Sequence, residues 1–413
     1  MMPPAKSTPA APDFAALDAI TDAVESGAGL PDVVRAAAHA LHASLVVIDR
    51  TGTVLASAPR SPADERSLIA NGAGVETVEL RVADEPVGLL RMRARSPSGS
   101  GNGLVKLVTT LVASEVERVR APLRASQEAA AAFVHAVLDR ALVEAEEINA
   151  RAAELGIDLE PGASVLVARA HPQVPVDDGW RMRVLAVAER GARAVAAAAV
   201  AVPASPARGE SPAAEVVVLL PSGDDGVAQR AAEGVLRELQ AGLPGHLFAV
   251  GRSRVARDAV DLARAGNEAL LAANVAEGDR EGSLMAFEET GAYRLLLPAM
   301  SEDPAELQRF YSETVEPLVA YDDQYETDLV KTVEAFLDAD GNVAGTAQRL
   351  FTHRHTIRYR LERVRDLSGL DVGSTDGREK LSLGLKAMRV LGIAKRGGPA
   401  TEAGAGGGRV PRR

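Results

Sequence analysis

The 413-residue chain has no cysteine, which excludes disulfides, thiolate zinc sites, iron–sulfur clusters and cysteine nucleophiles together. A reducing cytoplasm is the compartment this composition fits. Aromatic residues are scarce, at 3%, and the single tryptophan, Trp180, is expected to pack rather than to act. Long apolar runs are also missing. The most apolar stretch, AVAAAAVAVP from Ala194, is about half the ~18–20 residues of a membrane span and stops at Pro203. The opening MMPPAKSTPAAPD has one lysine and no apolar segment, unlike a secretory signal. No Gly-Lys dipeptide, Gly-x-Ser-x-Gly elbow or His-Glu-x-x-His occurs, so a P-loop and the common hydrolase sites lack their residues.

What is present is ordinary for globular protein: 46% hydrophobic and 25% charged residues, in a length that suits roughly two to four domains. The net charge of −11 is unevenly spread. Between Asn342 and Arg396 twelve Lys/Arg stand against five acids, a local balance of +7 that leaves −18 on the rest. A basic module on an acidic body points to a phosphate-backbone partner for the C-terminal part alone.

Along the chain, residues 1–13 and 397–413 read as disordered, rich in Pro and Ala or in Gly. Helical spacing from Phe14 to Leu45, two hairpin signals (SLVVIDRTGTVLASA and VETVELRVADEPVGLLRMRAR) and a helix at LVKLVTTLVASEVERV form an α+β module over 14–120. Leu104, Val108, Leu111 and Val112 share one side of that helix. A helical linker, 121–160, follows Pro122. Residues 161–290 then read β-α-β-β-α-β-α-β, an α/β sandwich of helices on a mostly antiparallel sheet, with strands at Ala194–Val202 and LMAFEE. From 291 to 396 the periodicity is helical throughout, interrupted at Pro298, Pro304, Pro317, Asp340–Asn342 and Gly369. The fold class is multidomain α+β.

The informative segment is GNVAGTAQRLFTHRHTIRYRLERVRDL. Gly341 relieves the end of one helix and Asn342 caps a short second helix, with Val343, Ala347 and Leu350 inward. Phe351 and Thr352 make a tight connection. Thr352 is placed to cap a third helix, on which Ile357, Leu361 and Val364 point inward, and His353 turns to the core side. This is helix-turn-helix geometry. At ~100° per residue, Arg358, His355 and Tyr359 lie away from Ile357, with Arg354 beside them. These side chains are long and donor-rich, suited to base edges and phosphates. Six arginines and two histidines face one acid, Glu362, between Arg349 and Arg365.

The run TAQRLFTHRHTIRYRL resembles the C-terminal helix-turn-helix of the PucR/CdaR family of bacterial transcriptional regulators. The positions that match are Ala347, Leu350, His353, Arg354, Thr356, Tyr359, Arg360 and Leu361. Tyr321-Asp322, Leu329, Thr332, Phe336 and Leu337 agree upstream, as do Leu367, Gly369 and Asp371 downstream. His355 stands where the family usually has asparagine, a change that bears on base preference. The resemblance implies double-stranded DNA as partner, contacted through Arg354, His355, Thr356, Arg358 and Tyr359, with Arg349, Arg360 and Arg363 on phosphates. It further implies a homodimer with seams at 104–119 and after Pro122, an unidentified small-molecule effector, control of metabolic or developmental genes, and no membrane, metal or cofactor.

The middle segment resembles the degenerate GGDEF-like domain of such regulators, and 14–120 resembles GAF/PAS-like sensors in its pattern of elements. A diguanylate cyclase needs a Gly-Gly-acid-acid hairpin and an acid after the first strand. Here these positions read PARGESP, with Glu210 alone, and Ala170-His171-Pro172, while Asp224-Asp225 is placed to open a helix. No catalytic residue is assigned. Two rival readings stay open: a nucleotide cyclase-like enzyme, and a ligand-binding signalling adaptor without specific DNA readout. GSGNG at 99–103 reads as a connector rather than a dinucleotide loop, and His39 with His42 lack a further metal ligand nearby in sequence.

Overall fold

In the computed structural model the described residues are 14–49, 52–83, 85–95, 102–205, 213–278 and 283–393. Two compact units divide the chain: Met1–Ala130 with Asp177–Ala186, and Ala131–Val176 with Val187–Arg413.

In the first unit, α1 (Phe14–Glu25) and α2 (Leu30–Ala40) are separated by Gly27 and Gly29, both at positive φ. The apolar run β1 (Ala43–Ile48) is buried at every position and pairs antiparallel with β2 (Val54–Ala58). The turn between them is closed by Asp49, whose carboxylate accepts from Thr53 N at 2.8 Å. An unexpected helix, α3 (Pro62–Ile69), starts at Ser61, whose hydroxyl accepts from Asp64 N at 3.2 Å. It buries only Leu68, so its apolar periodicity is too weak to read in the sequence. The second hairpin is β3 (Glu76–Val82) with β4 (Glu85–Ala94), and the sheet order is β2-β1-β4-β3. Helix α4 (Asn102–Leu138) contributes Val108, Val112 and Val116 to a core shared with Val33, Leu45 and Leu90.

The helical stretch expected from Pro122 to about Leu155 is broken once. α4 continues through Pro122 and stops at Leu138, where Arg140 takes φ 58° and the N–H groups of Ala141 and Leu142 both donate to Ala136 O. α5 (Ala145–Glu154) follows.

The chain continues with β5 (Ser164–Pro172), α6 (Trp180–Arg193), β6 (Val200–Pro203), β7 (Ala214–Leu220), α7 (Asp225–Gly242), β8 (His246–Arg252), α8 (Leu262–Gly278) and β9 (Leu284–Ala286). This is the expected element order. The sheet runs β6-β7-β5-β8-β9, antiparallel except for the β8–β9 pair. Two strands are shorter than the sequence suggests. Ala194–Ala199 continues the turns of α6, with Ala196 N donating to Ala192 O, and pairing begins only at Val200. LMAFEE leaves the sheet after Ala286, because the Glu289 carboxylate folds back to accept from Ala286 N at 2.9 Å and starts a 3-10 stretch, Phe287–Leu296. Helix α8 lies so close under β8 that a Cβ on Gly251 would sit 2.1 Å from Ala269 O. Only glycine permits that approach.

The remaining elements are α9 (Leu297–Glu302), α10 (Pro304–Thr314), α11 (Glu316–Tyr325), α12 (Leu329–Asp338), α13 (Val343–Arg349), α14 (Arg354–Ser368) and α15 (Thr375–Val390). Pro298, Pro304 and Pro317 each occupy a first-turn position, where the missing N–H costs nothing. These helices share one core with α8: Leu271 and Val275 bury beside Leu318, Val333, Ile357 and Leu385.

A polar network crosses the same boundary. Arg169 on β5 donates to Glu215 of β7 at 2.6 Å, and to Asn274 and Glu277 of α8 at 2.6 and 2.8 Å. Asn274 Nδ2 in turn donates to Val390 O at the end of α15, at 2.6 Å. Arg389, one residue earlier, bonds Glu334 of α12 at 2.8 Å and the Tyr293 hydroxyl at 3.0 Å.

Replacing Arg169 by Ala removes the guanidinium that Glu215 and Glu277 share in a buried setting, and should lower unfolding free energy by about 3–5 kcal/mol in urea denaturation. Burial alone would raise the Glu277 carboxyl, but the contact of the His171 ring and the charge of Arg169 outweigh it and hold the group below the ordinary carboxylate range. Its stabilisation is therefore complete above the unfolded pKa and lost as pH falls through the lower native value. Acid unfolding of Glu277→Gln, followed by circular dichroism, should lack this component.

Candidate nucleic-acid interface

Helix α12 is started from outside itself. Asp322 on α11 accepts from Leu329 N at 2.7 Å and Val330 N at 2.9 Å, covering donors that a helix leaves without intrahelical partners. The acceptor lies seven and eight positions before the two donors, so no local capping pattern marks this role. At the other end Asp340 and Gly341 take φ 53° and 79°, and Gly341 N donates to Phe336 O. Asn342 then caps α13, its side chain accepting from Ala344 N at 2.9 Å and Gly345 N at 3.2 Å, as the sequence suggests.

Helix α13 ends in a Schellman turn: Phe351 N donates to Gln348 O and Thr352 N to Ala347 O, with Phe351 at φ 50°. Two expectations for this turn need correction. The cap of α14 is His353, not Thr352: its Nδ1 accepts from His355 N at 3.3 Å. Nor does His353 face the core. As the cap it precedes the first helical residue, so helical spacing does not govern it; it is exposed, and its ring stacks on His355 with centroids 5.1 Å apart. Ile357, Leu361 and Val364 are buried as expected. On α13 Ala347 is fully enclosed, while Val343 and Leu350 are half-buried against the same core.

With that face fixed, Arg354, His355, Arg358 and Tyr359 are all exposed on the first two turns of α14, and Thr356 is half-buried. Tyr359 is 64% exposed. Arg349 is exposed at the end of α13, 3.3 Å from Asp338. The other two arginines are held from within. Arg360 donates to Thr332 Oγ1 at 3.1 Å and to Asp328 at 3.3 Å, and the Arg363 guanidinium lies 5.0 Å above the Tyr321 ring. Sequence spacing places both near the basic face but does not reveal Asp328, Thr332 or Tyr321 as partners, because these come from α11 and α12.

In the sheet module, His171 at the end of β5 lies 2.8 Å from Glu277. Asp224 caps α7, accepting from Gly226 N at 2.8 Å, as expected. Asp225 pairs with Arg252. Glu210 and the rest of its turn lie outside the described residues. Among the described residues no group of three or more His, Asp or Glu is arranged to hold a metal ion. No described helix is long and apolar enough to cross a membrane.

Comparison with known proteins agrees with this geometry. Residues 329–387 match the model of the PucR C-terminal helix-turn-helix domain, and residues 139–275 match that of the GGDEF-like domain. The chain is similar to three proteins of Bacillus subtilis (strain 168). It is 31% identical to the purine catabolism regulatory protein over 86 residues, 21% of this chain and 16% of that protein. It is 27% identical to the DNA-binding transcriptional activator AdeR over 103 residues, 25% and 24% of the two chains. It is 28% identical to the proline-responsive transcriptional activator PutR over 130 residues, 31% of each. The match thus covers less than a third of the length of these relatives. The chain carries a PucR-type helix-turn-helix behind a GGDEF-like domain, the two matches together spanning just under half of its length.

Proposed function

We propose that the protein is a sequence-specific, DNA-binding transcriptional regulator that works as a dimer and responds to a small-molecule effector. One observation carries this reading. The second helix of the helix-turn-helix buries Ile357, Leu361 and Val364 and leaves Arg354, His355, Arg358 and Tyr359 free at its N-terminal end, the end that enters the major groove in this motif. Arg354, His355, Thr356, Arg358 and Tyr359 face bases in this reading, and Arg349 meets phosphate. Arg360 and Arg363 orient the helix through α12 and α11 and offer their remaining donors to phosphate. The named roles of the three Bacillus subtilis relatives, all regulators, favour the same reading.

A two-fold operator needs two such helices about 34 Å apart. Residues 104–119 and the helix after Pro122 are proposed as the dimer seam. Residues 14–120 are proposed as a GAF/PAS-like sensor and 161–290 as a GGDEF-like module without catalysis. An effector bound at either one would shift the spacing of the two reading helices.

Purified full-length protein, mixed with fragments of its source genome at two salt concentrations, should enrich a short two-fold motif. Arg358→Ala should cost about 1–3 kcal/mol on that site and relax preference at one position. Arg349→Ala should weaken all sequences alike and reduce the slope of log affinity against log salt by about one. Salt-sensitive binding without any motif, unchanged by either substitution, would overturn the assignment of the recognition helix. Binding with no DNA-like salt slope would favour the adaptor reading, and turnover of GTP with divalent metal the enzyme.

A further inference from the structure

Phe351 has no role inside the protein. Its side chain is 99% exposed, beyond any other large apolar residue among those described. It sits at the left-handed position of the Schellman turn that closes α13, where φ is 50° and a glycine is the favoured residue. Backbone conformation thus argues against a bulky side chain there, and no packing within the chain compensates for one. The ring precedes the His353 cap of α14 by two residues, between exposed Arg349 and Arg354. It therefore stands at the end of the helix that carries the proposed base contacts, on a strongly basic surface.

A phenyl ring has no donor for phosphate and no acceptor for a base amino group. The apolar feature that a duplex presents in its major groove is the C5-methyl group of thymine. We infer that Phe351 is a specificity-determining residue of the DNA interface, packing its ring against a thymine methyl at the edge of each half-site. This rests on the DNA-binding reading above. The basic surroundings suit a polyanionic duplex as the partner of this ring.

The test uses full-length wild type, Phe351→Ala, Phe351→Gly and Arg358→Ala on the selected site, and on duplexes in which each thymine is replaced singly by deoxyuridine, which lacks only the methyl. Wild type should lose about fourfold in affinity at one position per half-site, the worth of one buried methyl-sized group. Both Phe351 variants should bind the thymine duplex about that much more weakly and be indifferent to deoxyuridine there. Arg358→Ala should bind weakly yet keep the thymine preference. Because glycine suits the left-handed turn, Phe351→Gly should melt at or above the wild-type temperature, separating lost contact from lost fold. If Phe351→Ala matches wild type on every duplex while Arg358→Ala is impaired, the inference fails and the DNA reading stands. If Phe351→Ala alters only self-association, the ring serves a second copy and the inference fails. If Arg358→Ala also binds as wild type does, the DNA reading itself has failed.

Discussion

Burying the Arg169 guanidinium in the middle of a sheet imposes a condition on everything around it. A charge removed from water must be met by opposite charge and by hydrogen-bond acceptors, or the fold does not form. Glu215 on the neighbouring strand and Glu277 on α8 supply the charge, and the Asn274 oxygen supplies a third contact. That fixes the Asn274 amide with its nitrogen directed to Val390 O, at the end of the last described helix. One buried cation thereby sets the register between the sheet of the GGDEF-like region and the helix that closes the helix-turn-helix region. The apolar contacts follow the same line, since Leu271 and Val275 of α8 belong to the core of α10 to α15.

Helix α8 accordingly has two faces at work. On one, Gly251 lets it lie against the backbone of β8. On the other it forms part of the floor of the helical region. The helix-turn-helix rests on this floor through α15, which packs on both α8 and α12, while α12 and α13 hold α14 from the side. Within α14 the arginines divide accordingly. Arg360 and Arg363 are engaged by α12 and α11, whereas Arg354 and Arg358 are turned outward. A run that is predominantly basic in sequence becomes, in three dimensions, a set of anchored arginines and a set of exposed ones.

Much of this is legible in the linear chain where one short-range rule governs. The β-α-β-β-α-β-α-β order, both hairpins of the first unit, the Asn342 cap and the buried stripe Ile357, Leu361, Val364 all follow from local periodicity and turn chemistry. The weaker elements escape it. Helix α3 buries a single leucine, and the Ala-rich stretch after α6 carries too few β-branched residues to choose strand pairing before Val200. Helical spacing puts His353 on the core side, but a cap residue lies outside the helix and escapes its periodicity.

The sequence alone determined which residues form the basic set: long, cationic and spaced on one side of a capped helix, a property of composition and the 3.6-residue repeat. Tertiary structure alone decided which of them stay exposed and which are anchored. Asp328, Thr332 and Tyr321 reach α14 from other helices, and Asp322 starts α12 from across a turn. Partnerships of that kind depend on how helices pack, and packing depends on the whole buried surface rather than on any local run of residues.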